Sequence, residues 1–172
     1  MSTALTRASP DVQAFWAAYV GHLGNDPSER FFQACYFDDN EPSADELAEL
    51  VVRGRKRATA ALLWAHEAEN EPLPVPGSLS VVTRWSGAPV CIIETTAVEV
   101  IPFERVGADF AAAEGEGDGS LAYWQRTHLA FFGRECARIG REFSPSAPVV
   151  CERFRVVFPA DVAKNAPHPV VQ

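Results

Sequence analysis

The sequence predicts a single α+β domain, and three observations carry that expectation. Apolar residues recur at helical spacing in four stretches, β-branched and aromatic residues gather into three short runs, and no internal repeat or long linker divides them. The 172 residues, 47% apolar and 22% charged, suffice for one sizeable core and lie far from the composition of a disordered chain.

Pro10 and Asp11 open the first helix, on which Val12, Phe15, Trp16, Tyr19 and Val20 share a face, and Gly21 and Gly24 supply stop signals. Phe31, Phe32, Tyr36 and Phe37 run into a polar loop from Asp38 to Pro42, after which Ser43 is the expected cap of a helix carrying Leu47, Leu50 and Val51. Gly54 closes that helix, and Ala60 to Glu67 reads as another, capped by Thr59. Pro72, Pro74, Pro76 and Gly77 break the helical pattern. Two β-rich runs, Ser78 to Trp85 and Pro89 to Val100, then flank Ser86-Gly87-Ala88 as a hairpin. Phe103 to Ala113 is short helical or irregular, and the alternation of glycine with acid from Glu114 to Gly119 marks a loop. Ser120 caps a longer helix with Leu121, Trp124, His128, Phe131, Phe132 and Cys136 at helical spacing. Val149 to Phe158 is the last strand, followed by a Pro-rich, frayed tail.

A net charge of −8 argues against a broad phosphate-tracking surface, which needs many Lys and Arg contacts, but leaves room for a local basic pocket. Cys35, Cys91, Cys136 and Cys151 are widely spread without zinc-ligand spacing, and the N-terminus has no hydrophobic signal run. Reduced thiols in a cytoplasmic protein are expected. No apolar stretch reaches the roughly 18 residues that suggest a membrane span, so no membrane partner is expected.

Two segments carry the chemistry. Arg55, Lys56 and Arg57 precede Thr59, and if Thr59 starts a helix, its free amides and these charges suit a phosphate or another oxyanion. The alternative is a solvated basic run beside a simple cap. The other segment offers Glu114, Glu116 and Asp118 between glycines, so the backbone can approach a ligand and one acid can sit where water is scarce; the alternative is a solvated turn. Trp16 and Trp124 fall on apolar helical faces and read as core, whereas Trp64 and Trp85 are placed to stack on a base. His66 and His128 lack ligand-spaced partners, so no metal or other cofactor is expected.

Gly54-Arg55-Lys56-Arg57-Ala58-Thr59, then Glu114-Gly115-Glu116-Gly117-Asp118 with Ser120-Leu121 and Trp124, then Cys151-Glu152-Arg153-Phe154 occur in an order that resembles the ASCH family over residues 29–158. The resemblance implies a PUA-like fold, a small β-barrel flanked by helices with a pocket between them. Residues 1–28 are then a packing helix and lead-in of the same domain, and 159–172 a flexible tail. The pattern is similar to that of small bacterial relatives that hydrolyse acetylcytidine, which implies catalytic Lys56, Thr59 and Glu114, with Glu116 as the alternative acid in this longer loop. Burial and the neighbouring Arg55 and Arg57 would depress the Lys56 pKa, so that its amine activates Thr59 as nucleophile. Glu114 would pass a proton to the leaving amine, and amides at the start of the Ala60 helix would hold the oxyanion. Arg55, Arg57, Glu116, Ser120, Trp64 and Trp85 complete the expected ligand-binding set. The leading expectation is an amidohydrolase for an acylated nucleoside or similar amide. The alternatives are a ribonuclease that cleaves single-stranded RNA with a metal held by Glu114, Glu116 or Asp118, and a non-enzymatic reader of RNA or of a modified nucleotide. The expected partner is thus a small nucleoside-like ligand or single-stranded RNA.

Overall fold

The computed structural model describes residues 3–165. After a short helix α1 (Thr3–Thr6), helix α2 (Pro10–Leu23) starts where the Ser9 hydroxyl accepts from the Val12 amide at 3.3 Å. It ends at Gly24, which takes the left-handed conformation at φ 74°; Gly21 is carried inside the helix. Strand β1 (Phe31–Cys35) and helix α3 (Glu41–Val52) follow. The cap of α3 is Asn40 rather than Ser43, the Asn40 Oδ1 accepting from the Ser43 amide at 3.1 Å. The helix can begin before Pro42 because first-turn amides have no intrahelical acceptor, so proline loses nothing there.

The largest departure from expectation is at residues 58–62. Ala58–Leu62 is strand β2, and helix α4 spans only Leu63–Glu69. An Ala-rich stretch favours helix locally, but the advantage is at most about 0.7 kcal/mol per residue over ordinary residues. Antiparallel pairing with β5 (Pro148–Phe158), from Ala58 opposite Arg153 to Leu62 opposite Val149, supplies backbone partners and buries Ala58 and Leu62 completely. Long-range pairing wins. Thr59 is therefore a strand residue, and the basic run leads into a strand instead of a helix N-terminus.

Strands β3 (Leu79–Thr83) and β4 (Pro89–Pro102) form the expected hairpin, with Gly87 at φ 86° in the turn. The five strands make one sheet in the order β1-β3-β4-β5-β2, in which β1 and β3 are parallel and the other pairs antiparallel. The class is α+β as expected, but the sheet is open and does not close into a barrel: β1 and β2 are its edges. A register shift between Thr95 and Ala97 interrupts the long β4–β5 ladder, the kind of irregularity that bends a sheet. Residues of both edges line one cavity, so the sheet curls around a space where a barrel would zip shut.

Helices α5 (Ala108–Glu114) and α6 (Leu121–Arg138) pack Phe110, Trp124 and Phe132 on the β2–β5 end of the sheet, against Leu62 and Val149. Helix α2 sets Val12, Trp16 and Tyr19 on Phe31, Leu79 and Ile92. Helix α3 sets Ala48 and Val51 against Val82, Ile93 and Phe154. Trp16 and Trp124 are both core residues, and all four cysteines are free thiols. The tail begins as a helix, α7 (Ala160–Asn165), while residues 166–172 lie outside the described residues. Among the described residues no helix is long and apolar enough to cross a membrane.

Candidate functional site

Between the curled sheet and α6 lies a cavity of about 610 Å³, within the usual size of a small-molecule pocket. Lys56, Thr59, Glu114 and Glu116 all line it.

The backbone aims Lys56 inward. Past the left-handed Gly54 at φ 71°, the Arg55 and Lys56 amides both donate to the Leu50 carbonyl, at 2.9 and 3.0 Å. The Arg57 amide donates to the Ala113 carbonyl at 2.8 Å, and the Arg57 carbonyl accepts from the Phe154 amide at 2.9 Å. Held between α3, α5 and β5, Lys56 is only 1% exposed. Its Nζ donates to Glu114 Oε1 at 3.0 Å and to Glu116 Oε1 at 2.6 Å, and lies 5.1 Å from the Phe37 ring centre. Burial pushes the Lys56 pKa down, but the charges of Glu114 and Glu116 and their hydrogen bonds push harder the other way, leaving it above its ordinary value. Lys56 is therefore an ammonium, not the neutral base expected from its arginine neighbours.

A raised lysine pKa has a thermodynamic signature. The folded form holds its proton more tightly than the unfolded chain, so the stabilisation is complete below the ordinary value of 10.5 and is lost as pH rises through the higher folded value. Denaturation midpoints measured above pH 10.5 are expected to fall more steeply for the natural chain than for Lys56→Met. Parallel curves for the two proteins would contradict the pairing.

Glu114, the last residue of α5, is also 1% exposed. Its Oε2 accepts from the indole Nε1 of Trp124 and lies 3.3 Å from His128 Nε2. Gly115, at φ 64°, turns the chain so that Glu114 and Glu116 both reach Lys56; a Cβ there would stand 2.5 Å from the Arg55 carbonyl oxygen. Gly115→Ala is expected to cost at least about 1–2 kcal/mol from the left-handed backbone alone, with the clash added. Thermal denaturation checks this, and an unchanged midpoint would show that the loop relaxes freely.

Thr59 sits in β2 directly opposite Glu152 in β5, and its hydroxyl has no hydrogen-bond partner among the described residues. It is thus not committed to capping. Two cavity-lining groups, named in the sequence only as a helix residue and as part of the last-strand motif, were not among the expected site residues. His128 stacks on Trp124 with ring centres 4.2 Å apart and places Nδ1 3.0 Å from the Trp124 carbonyl oxygen. Its spacing of four from Trp124 on one helix was the available signal. Glu152 is 8% exposed and accepts from the Thr95 hydroxyl at 2.6 Å. Burial raises its pKa against the lowering effect of that hydrogen bond. Its signal was a lone acid in a β-branched run.

Five expected ligand contacts do not line the cavity. Arg55 instead donates to the Gly117 carbonyl and staples the acidic loop. Arg57 Nε is buried without a partner. Ser120 caps α6, accepting from the Tyr123 amide at 3.1 Å. Trp64 lies under the Arg141 guanidinium at 4.8 Å, and Trp85 packs on Tyr36 with ring centres 4.7 Å apart. Proximity in sequence to the basic run or the loop did not carry Arg55, Arg57, Trp64 and Ser120 into the cavity, nor did its place at a strand end carry Trp85 there.

The lining is net acidic: seven carboxyl residues face three cations, Lys56, Arg134 and Arg138. Each cation is already paired, Arg134 with Asp39 at 2.9 Å and Arg138 with Glu69 at 2.7 Å. Among the described residues no three His, Cys, Asp or Glu side chains are grouped to hold a metal. Glu114 and Glu116 enclose the Lys56 ammonium, and Asp118 accepts from the Ser120 amide at 2.8 Å. These acids do not fit a divalent site, since an ammonium occupies the position between the carboxylates where a dication would bind.

The fold and the cavity define a class: a small α+β domain enclosing a ligand-sized space between an open sheet and a helix. The chain belongs to the ASCH domain family, whose model matches residues 33–158. It is similar to the ASCH domain from Lactobacillus crispatus JV V101, known from a high-resolution crystal structure, at 41% identity and a TM-score of 0.83, over 89% of this chain and 98% of that one. It is also similar to an Enterococcus faecalis V583 protein of the family DUF984, at 33% identity and a TM-score of 0.76, over 86% of this chain and 88% of that one. No curated protein matches the chain.

Proposed function

We propose that this ASCH protein is a small amidohydrolase that cleaves an acylated nucleoside or a closely similar amide. One observation carries the proposal: a buried ammonium, an unpartnered threonine hydroxyl and two carboxylates line one cavity of nucleoside size. Thr59 Oγ1 attacks the acyl carbon, and a carboxylate of the Glu114–Glu116 pair takes the hydroxyl proton. The tetrahedral oxyanion is stabilised by the Lys56 ammonium, which takes the place of the helix amides expected from sequence. Collapse breaks the C–N bond, the carboxylate returns the proton to the leaving amine, and water then hydrolyses the acyl-threonine ester.

The charge of the lining favours an uncharged nucleoside over RNA or a nucleotide. Phosphate recognition requires positive charge in excess around it, and here seven carboxyl residues outnumber three cations in the lining. A PUA-like RNA reader would place such charge toward its ligand. The test is a panel of acylated nucleosides, their 5′-phosphates and short single-stranded RNAs, each with and without a chelator. Hydrolysis of a nucleoside amide, slower for its phosphate and indifferent to chelator, is the expected result. RNA cleavage abolished by chelator, or salt-dependent RNA binding without turnover, would replace it with the ribonuclease or the reader.

A further inference from the structure

We propose that Glu152 is the specificity determinant of the cavity, accepting a hydrogen bond from an N–H donor on an uncharged heterocyclic base. The inference takes its ligand class from the function proposed above but does not depend on the catalytic roles assigned there.

Glu152 stands on β5 beside Thr59 on β2, and both line the cavity. Its carboxyl is held from one side only: Oε1 accepts from the buried Thr95 hydroxyl at 2.6 Å, and Oε2 has no partner among the described residues. No ion pair accounts for it, because the cations of the cavity are bound by other acids. The residue is 8% exposed, so little of the carboxyl reaches solvent, and a ligand donor at Oε2 would give it the second hydrogen bond that the protein does not supply. A second unfilled polar atom occurs on the same cavity: His66 Nδ1, from α4, is buried without a partner. Since the lining is net acidic, an anionic ligand group would be repelled, whereas a neutral base with N–H donors meets both the charge and the unfilled acceptor. Thr95 and Glu152 both sit on paired strands, so the acceptor is fixed in direction and can discriminate between bases.

The test uses calorimetric titration of the whole protein with adenosine, cytidine, guanosine and uridine, and with counterparts whose base N–H groups are fully methylated. Glu152→Gln keeps the shape and an oxygen for Thr95 but presents N–H in place of the free acceptor. It also replaces a buried carboxyl that has no ion-pair partner by a neutral amide, so it is expected to melt no lower than the natural chain, which serves as the folding control. The expected result is that the natural chain binds at least one nucleoside, that Glu152→Gln weakens this at least tenfold, and that methylation weakens binding to the natural chain but not further to the variant. Equal affinity of both proteins, or no nucleoside binding to the natural chain, would overturn the assignment. Nucleoside binding that depends on Glu152 without hydrolysis of any acylated form would sink the amidohydrolase reading alone, and hydrolysis with Glu152-indifferent binding would sink this inference alone.

Discussion

Replacing Lys56 by alanine is expected to lower the maximal rate on an acylated nucleoside by roughly a hundredfold to a thousandfold, the usual effect of removing an oxyanion-stabilising donor. The same change leaves Glu114 and Glu116, which the ammonium holds together, without their shared cation. Removing one partner of a buried ion pair commonly costs about 3–5 kcal/mol, so Lys56→Ala should also melt earlier. Rate and stability therefore have to be separated by a second variant. Thr59→Val removes only a hydroxyl that has no partner among the described residues. It should keep the melting temperature while losing turnover. Arg57→Ala, altered off the cavity, should keep the maximal rate. If Lys56→Ala, still folded at the assay temperature, retains its full maximal rate, the catalytic assignment is wrong and the cavity is better understood as a ligand reader.

Trp124→Ala is expected to destabilise the fold by about 3–5 kcal/mol, the range for emptying a large aromatic site in a core. Trp124 is 2% exposed, stacks on His128 and Phe103, and donates from Nε1 to Glu114. The alanine variant thus opens a cavity and also takes one donor from a buried carboxylate. Trp124→Phe separates the two effects, keeping most of the packing but not the N–H. Urea denaturation should rank the natural chain above Trp124→Phe and that above Trp124→Ala. An unchanged midpoint for Trp124→Ala would mean that Trp124 does not hold the core around α6.

Local chemistry in the sequence determined much of this protein. Ser120 and Gly24 bound helices where their side-chain oxygen and missing Cβ act on neighbouring residues, and the turn at Gly87 joins two β-rich runs. The spacing of Trp16 and Trp124 placed them in the core because helical period is a local property. The order of the motifs nominated Lys56, Thr59 and Glu114, yet only the folded chain sets them on one cavity. Tertiary structure decided what depends on distant partners. Residues 58–62 are a strand because β5 pairs with them, against their local helical preference. Lys56 is an ammonium because two carboxylates about sixty positions away meet its Nζ, an interaction that outweighs burial. His128 and Glu152 join the cavity, and Arg55, Arg57, Ser120, Trp64 and Trp85 stay outside it, because side-chain direction follows from packing between elements. A sequence specifies periodicity and caps through neighbours a few residues apart, whereas charge state and convergence on a site arise only when remote segments exclude water together.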